Sequence, residues 1–305
     1  MNGILSKNAR GILEWRSFMT KKRWIILYLV PALFFAVIFF IIPLIYILYV
    51  SFFEWNGLNN MTWVGIQNYR DVLKDANFQL AFKNTILWIL AAVCIHVPFG
   101  LLLALLLNRK VFGWKVFRVL FFLPNVISIT ALAFLWYFIY HQDMGLLNWG
   151  LRAVGLSSAT RGWLTDLGTA LPATMVPFVL YVGLTTVIFL TQLATVSDEM
   201  REAAILDGAT GWQMDRYVYI PLVKPAIATN LMLNVAFCLK NFEYPFVMTS
   251  GGPINSTTTL SLYVYKKMMN ANQYGISMVG SVFTILLGFI LMILVNRMQK
   301  DRKDA

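Results

Sequence analysis

Thirty consecutive residues, from Trp24 to Phe53, read WIILYLVPALFFAVIFFIIPLIYILYVSFF and contain no Asp, Glu, Lys, Arg or His. No other feature constrains the fold as strongly. A helix of about 20 apolar residues crosses the hydrocarbon core of a bilayer, and inside that core every backbone polar group must be paired within the chain. The run is longer than the apolar region of a signal peptide and no A-x-A cleavage site follows it, so it is expected to be retained. Five further apolar runs follow at about Phe82–Leu107, Val116–Tyr140, Leu171–Val196, Pro221–Met248 and Ile276–Val295. Pro31, Pro43, Pro98, Pro124 and Pro177 lie in or near these runs. Packed membrane helices tolerate such kinks better than soluble ones do.

Composition agrees. Charged residues make up 13% of the 305-residue chain, against roughly 25% in a soluble domain, which is too little to cover a water-exposed surface. The fold class expected is all-α, a polytopic membrane protein with six transmembrane helices. The net charge of +11 does not point to nucleic acid, because the basic residues sit in short loops and at the ends of apolar runs. Seventeen of the 25 Lys and Arg fall on one side of the six runs: those before Trp24, Arg109, Lys110, Lys115 and Arg118 in the second connection, Arg201, Arg216 and Lys224 in the fourth, and those after Val295. Seven fall on the other side: Arg70, Lys74, Lys83, Arg152, Arg161, Lys266 and Lys267. Basic residues accumulate on the cytoplasmic side, so both termini and the connection around Glu202 are expected in the cytoplasm.

Enzymatic chemistry finds little support. Cys94 and Cys238 both sit in apolar runs, and the only histidines are His96 and His141. There is no CxxC, HExxH or G-x-x-x-x-G-K-[ST], so neither a metal centre nor a Walker-type nucleotide site is expected in this chain. His96, alone in an apolar run, reads as a hydrogen-bonded packing residue.

The connection SDEMREAAILDGATGWQMDRYVYIPLVKPA is charged, Ala- and Gly-rich, and flanked by two apolar runs. Ser197 or Asp198 can cap a helix. Ala203 and Ala204 favour it and leave room for another backbone, and Gly208 and Gly211 end it. A second helical run is expected from about Trp212 to Pro221. Glu202 and Asp207 offer charge to a basic partner, as a helix docked in a groove requires. On the outer side, Tyr69, Val72, Leu73 and Phe78 are near helical spacing, so 62–85 reads as a short amphipathic surface helix, with a plain linker as the alternative.

Polar groups inside spans are functional candidates, because they are costly in hydrocarbon. Asn234, Phe237, Cys238 and Asn241 follow i, i+3, i+4, i+7 spacing and are expected on one helix face. Amides there can bond sugar hydroxyls and a ring can stack on a sugar, or the amides can join neighbouring helices. Lys240 and Glu243, three apart, can pair. In the third run Trp136 and Tyr140 are further candidates, as path residues or interfacial anchors.

Glu202-Ala203-Ala204, Asp207-Gly208-Ala209 and Val218-Tyr219-Ile220-Pro221-Leu222 together resemble the EAA loop of ABC importer permeases. Val218 and Ile220 depart conservatively from its Ile and Leu. WVGIQNY, FKNT, FFLPNVIS, MGLLN and MTSGGPINSTTTL, in that order, extend the resemblance over nearly the whole chain, to the larger, maltose-type permease of carbohydrate importers. The resemblance implies a cytoplasmic segment at 1–23, a first helix at 24–53, an extracytoplasmic segment at 54–81, a five-helix permease core at 82–296 with the coupling loop at 197–222, and a cytoplasmic tail at 297–305. It implies that Glu202, Ala203, Ala204, Asp207, Gly208 and Ala209 form the ATPase-coupling helix. Asn234, Phe237, Cys238, Asn241, Trp136 and Tyr140 are the candidate substrate-path residues. Partners implied are a second permease, two cytoplasmic ATPase subunits, an extracytoplasmic solute-binding protein, a sugar and membrane lipid, in a bacterial cytoplasmic membrane. No cofactor is expected in this chain, with ATP and Mg on the ATPase subunits. A secondary transporter for a small polar solute is the alternative, weakened by the lack of an evident repeat between the halves and by the scarcity of intramembrane carboxylates for ion coupling.

Overall fold

The computed structural model describes residues 22–109 and 112–300. The expected segment 1–23, apart from its last two residues, and the end of the expected tail lie outside the described residues. Helices dominate. The first run forms α1 (Lys22–Ala36) and α2 (Ile42–Val50), followed by a two-stranded hairpin of β1 (Phe53–Glu54) and β2 (Thr62–Trp63), with Phe53 opposite Trp63. Next come α3 (Gln67–Lys74), α4 (Ala76–Ala91) and α5 (Val97–Asn108). The middle of the chain carries α6 (Trp114–Phe122), α7 (Ile129–Ile139), α8 (Leu146–Ala153), α9 (Ala170–Leu180) and α10 (Gly183–Leu193). The polar connection and fifth run form α11 (Asp198–Leu206), α12 (Trp212–Met214), α13 (Ile220–Leu222), α14 (Lys224–Lys240) and α15 (Glu243–Thr249). The chain closes with α16 (Leu260–Tyr265) and α17 (Tyr274–Lys300).

Among the described residues, four helical stretches are long and apolar enough to cross a membrane: Tyr28–Val50, Ala76–Asn108, Ala170–Leu193 and Tyr274–Arg297. Counting two bent pairs as one span each brings the number to six. Trp114–Val126 meets Ile129–Ile139 at 103°, and Trp212–Leu222 meets Lys224–Lys240 at 67°.

Proline explains much of the irregularity. Wide π turns occur at Val37–Ile41, Ala92–His96 and Asp215–Tyr219, and each ends two residues before a proline: Pro43, Pro98 and Pro221. A proline lacks the N–H that would bond the carbonyl four residues back, and its ring collides with that carbonyl. One widened turn carries the carbonyl clear. A fourth π turn, Lys266–Asn270, has no such proline. The 103° bend follows the short 3-10 turn Leu123–Val126, which contains Pro124, and α7 restarts on the Ser128 hydroxyl, which accepts the Ala131 amide.

The stretch α4–α5 is the axis of packing. Its N-terminal end places Phe78 and Ala81 against Val72, Leu260, Tyr263 and Val279. Its middle places Trp88, Ile89 and Ala92 against Ala133, Phe178, Cys238 and Tyr244. Its C-terminal end places Val97, Ala104 and Leu105 against Phe189, Leu193, Val223 and Ala226. By contrast α1–α2 offers Phe34, Phe35, Phe39 and Phe40 outward and meets α17. Burial within this chain does not hold that helix in place, and lipid-facing apolar side chains are the ordinary condition of a membrane span.

The expected surface helix at 62–85 is two helices. It ends at Lys74, and Asp75 caps the next by accepting the Asn77 amide at 2.9 Å. Val72 and Phe78 are buried but Leu73 is exposed, because the buried face of α3 runs through Asn68 and Val72. The Asn68 amide donates to the carbonyls of Ser51 and Phe53 at 2.9 and 2.8 Å, tying α3 to the first span and hairpin. Asp75 accepts from Lys267 Nζ at 2.9 Å and from the Tyr263 hydroxyl at 3.0 Å. Burial works to raise the Asp75 pKa, but Lys267, the Asn77 amide and Tyr263 outweigh it and hold the carboxyl below the usual range.

Candidate functional site

Between α10 and α14 a short helix is capped at both ends by its own local sequence. The Ser197 hydroxyl accepts the Met200 amide, and Asp198 and Glu199 place negative charge in the first turn of α11, where the helix dipole favours it. At the other end the Gly208 amide bonds the Ile205 carbonyl and the Ala209 amide bonds the Ala204 carbonyl, both at 2.9 Å. This is a Schellman closure, which needs a left-handed residue, and Gly208 has φ +84°. Nothing lies within 4 Å of where a Cβ on Gly208 would stand. The glycine therefore serves backbone conformation and leaves open space beside it.

Despite this local order, no residue of α11 is buried. Glu202, Ala203, Asp207 and Gly208 are exposed, and Ala204 and Ala209 are half-buried. Met200, Ile205, Leu206 and Trp212 project apolar surface outward, Leu206 at 88% exposure. Arg201 pairs with Asp198 at 3.2 Å, leaving Glu199, Glu202 and Asp207 as the uncompensated charges of the helix. Burial returns only at Met214 and Asp215. Asp215 forms an ion pair with Arg109, so the polar connection is tethered to the C-terminal end of α5, part of the axis of the packing.

A second polar assembly lies within the spans. Asn234 donates from Nδ2 to Thr185 Oγ1 at 3.2 Å and to the Asn230 carbonyl at 2.9 Å. His96 Nδ1 lies 2.9 Å from the Phe178 carbonyl and Nε2 lies 3.0 Å from Thr185 Oγ1. A carbonyl can only accept, so Nδ1 carries the proton and Nε2 accepts from the Thr185 hydroxyl. The bonds then run in one direction, from the Asn234 amide through Thr185 and His96 to the Phe178 carbonyl. The His96 ring stacks on Phe178 with centroids 4.3 Å apart, and Phe178 stacks on Phe237 at 5.0 Å. His96, Asn125, Tyr181, Thr185, Asn234 and Phe237 share the lining of a cleft of about 240 Å³.

Of the expected path residues, Asn234 and Phe237 face this cleft. Trp136 reaches it indirectly, donating its indole N–H to the Tyr181 hydroxyl at 2.6 Å. Tyr140 and Cys238 belong to the middle core instead, with the Cys238 thiol directed at the Trp88 carbonyl. The expected face containing Asn241 does not exist, because α14 ends at Lys240 and Asn241 is extended. Pro245 is the reason: it has no N–H for the Asn241 carbonyl four residues back. Thr259 Oγ1 supplies the missing donor at 2.7 Å. The Asn241 side chain is buried with neither amide atom partnered among the described residues. The same break separates Lys240 from Glu243, and the expected pair is absent from the ion pairs of the described residues. Tyr181, Thr185 and Asn230 were not singled out from sequence. Asn230, one turn before Asn234, and the adjacent Thr185 and Thr186 in an apolar run were the available signals.

Residues 96–304 match the model of the family described as binding-protein-dependent transport system inner membrane component. The chain is 34% identical, over 89% of its length and 93% of the relative's, to a protein of Pyrococcus horikoshii named "Probable ABC transporter permease protein PH1215". It is 32% identical, over 92% of its length and 96% of the relative's, to the multiple sugar-binding transport system permease protein MsmF of Streptococcus mutans. Its fold superposes with a TM-score of 0.80 on a chain from the crystal structure of a bacterial ABC transporter involved in the import of the acidic polysaccharide alginate, covering 94% of this chain and 99% of that one at 24% identity.

Proposed function

This chain belongs to the family of binding-protein-dependent transport system inner membrane components, and we propose that it is the permease subunit of an ATP-driven carbohydrate importer. It forms the translocation path with a second permease, receives sugar from an extracytoplasmic solute-binding protein, and is driven by two cytoplasmic ATPase subunits that hold ATP and Mg. The sugar-transporting relatives support the substrate class. The observation that carries the reading is α11: a helix capped at both ends, with no buried residue and with Ile205, Leu206 and Trp212 turned outward. Such a helix is ordered for a partner to cover.

Glu202, Ala203, Ala204, Asp207, Gly208 and Ala209 form the seat for the ATPase, on the cytoplasmic side together with both termini. Movement of the seat reaches the spans by two routes: the Asp215–Arg109 pair pulls on the inner end of α5, and Val223 and Ala226 press on Phe189 and Leu193. The segment 24–53, helical as far as Val50, acts as a separate first span and 82–296 as the permease core. Asn234 and Phe237 line the path, the first with its Oδ1 free of hydrogen bonds among the described residues, the second with a ring face for a sugar. Trp136, Tyr140, Cys238 and Asn241 frame that lining from behind.

Two measurements test this. Single cysteines at Ser157 and Asp198, in a chain lacking Cys94 and Cys238, should label from opposite sides of sealed vesicles; equal labelling from outside would refute the orientation. The chain purified alone should neither hydrolyse ATP nor move sugar. Assembled with its second permease and ATPase subunits, it should show ATP turnover stimulated by the sugar-loaded binding protein. Turnover by the isolated chain, or sugar movement without the ATPase, would sink the proposal and favour a secondary transporter.

A further inference from the structure

At the inner ends of α5, α6 and α10 lies a separate cleft of about 270 Å³ that the transport path does not use, lined by Leu107, Asn108, Trp114, Arg118, Leu190 and Thr191 among others. Three of these bring N–H donors: the Asn108 amide, the Trp114 indole and the Arg118 guanidinium. None of the three donates a hydrogen bond or joins an ion pair among the described residues. The Thr191 hydroxyl is already committed to the Ile188 carbonyl. Lys115 stands beside the cleft with its ammonium 5.9 Å from the Trp114 ring centre. The stretch from Ala76 to Gln142, which supplies α5 and α6, contains no Asp or Glu, and neither does the stretch from Leu167 to Ser197, which supplies α10. A site rich in donors and cations, without a carboxylate on its walls, calls for an anion.

The surroundings decide which anion. Leu107 and Leu190 form apolar walls. Phe112, Val116, Val119 and Leu120, sequence neighbours of the lining residues Trp114 and Arg118, are all exposed, and α6 as a whole has no buried residue, so apolar surface adjoins the donors. A soluble phosphate would gain nothing from that apolar rim, whereas a diacyl phosphate would fill both parts. We propose that this cleft binds an anionic phospholipid, its phosphate on Arg118, Asn108 and Trp114 and its acyl chains along Phe112 and α6. Basic pockets between membrane helices at the cytoplasmic face favour such headgroups. The assignment to the cytoplasmic leaflet rests on the orientation proposed above, but selection by headgroup does not depend on it.

The test is native mass spectrometry of the full chain, and of the assembled transporter, released from bilayers containing equal phosphatidylglycerol and phosphatidylcholine. Phosphatidylglycerol should be retained preferentially. Arg118→Gln should reduce that retention about fivefold, the factor equivalent to about 1 kcal/mol for one basic residue at an anionic surface. Thr191→Phe, which fills the cleft without changing charge, should reduce it similarly. Arg297→Gln, a basic residue at the inner end of α17, should leave it unchanged. Equal retention of both lipids, equal loss in Arg297→Gln, or unchanged retention in Thr191→Phe would each overturn the proposal. Displacement by millimolar glycerol phosphate would mark a soluble-anion site, and loss of the lipid on assembly would mark a protein contact. Either result would also overturn it.

Discussion

Two short polar helices flank the membrane in this molecule, and they are held in opposite ways. On one side α3 has Asn68 and Val72 buried, its Asn68 amide locked onto the first span, and its C-terminal Asp75 clasped by Lys267 and Tyr263. On the other side α11 has caps at both ends and buries nothing. Helices of this length are marginal in water. The first is stabilised by its own chain and is part of the fold. The second is shaped by local caps and covered by none of the described residues, and its Leu206 stands almost bare. The first surface serves stability; the second is the one proposed above to serve function.

The comparison sharpens when each helix is damaged in turn. The largest effect should come from Asn68→Leu. It removes two donors and leaves the Ser51 and Phe53 carbonyls without them, at about 1–3 kcal/mol for each orphaned group; thermal unfolding in detergent should begin clearly lower. Asp75→Asn comes next, weakening the clasp to Lys267 by about 1–3 kcal/mol. Its pH dependence has a definite sign. The folded carboxyl titrates below its ordinary value of 3.8, so the stabilisation is present above that value and fades as pH falls through the lowered one. The stability gap between wild type and Asp75→Asn should therefore be constant near neutrality and close in acid. A gap that widened in acid would mean that the clasp is misread.

On α11 the same kind of damage should be mild for stability and severe for function. In Gly208→Leu the added Cβ meets no neighbour within 4 Å and the backbone bears a left-handed cost of about 1–2 kcal/mol, but the change frays the Schellman closure and puts bulk at the proposed ATPase seat. The chain should remain folded in the membrane while co-purification of the ATPase falls. Smallest of all, Leu206→Ser should change stability by less than about 0.5 kcal/mol, as expected away from packed sites, yet weaken ATPase docking. Loss of folding in Leu206→Ser would show that α11 is held by its own chain after all.

The spans were legible because apolar runs of this length have few other solutions, and the loop helix because Ser197, the two alanines and Gly208 act locally. What escaped was set at a distance. Proline widened turns at Pro43, Pro98 and Pro221 without ending the spans, whereas Pro245 reached back one turn and took Asn241 off its helix. A strict i, i+3, i+4, i+7 count from Asn234 could not register that. The Asp75–Lys267 clasp joins residues far apart in sequence. The Thr185–His96–Asn234 chain joins three different runs, and no pattern within one run announces such a contact. The β1–β2 hairpin, only two residues per strand, is too short to produce a visible alternation.

The central claim is that α11 is surface kept for an ATPase, whereas α3 is not. Cysteine labelling of Leu206→Cys and of Leu73→Cys, both made in a chain lacking Cys94 and Cys238, compares the two helices directly, since both side chains are exposed in the chain alone. Labelling of open membranes is measured before and after the ATPase subunits are added. The expected result is strong protection of position 206 and none of position 73. Undiminished labelling at position 206 in a complex that turns over ATP would contradict the account.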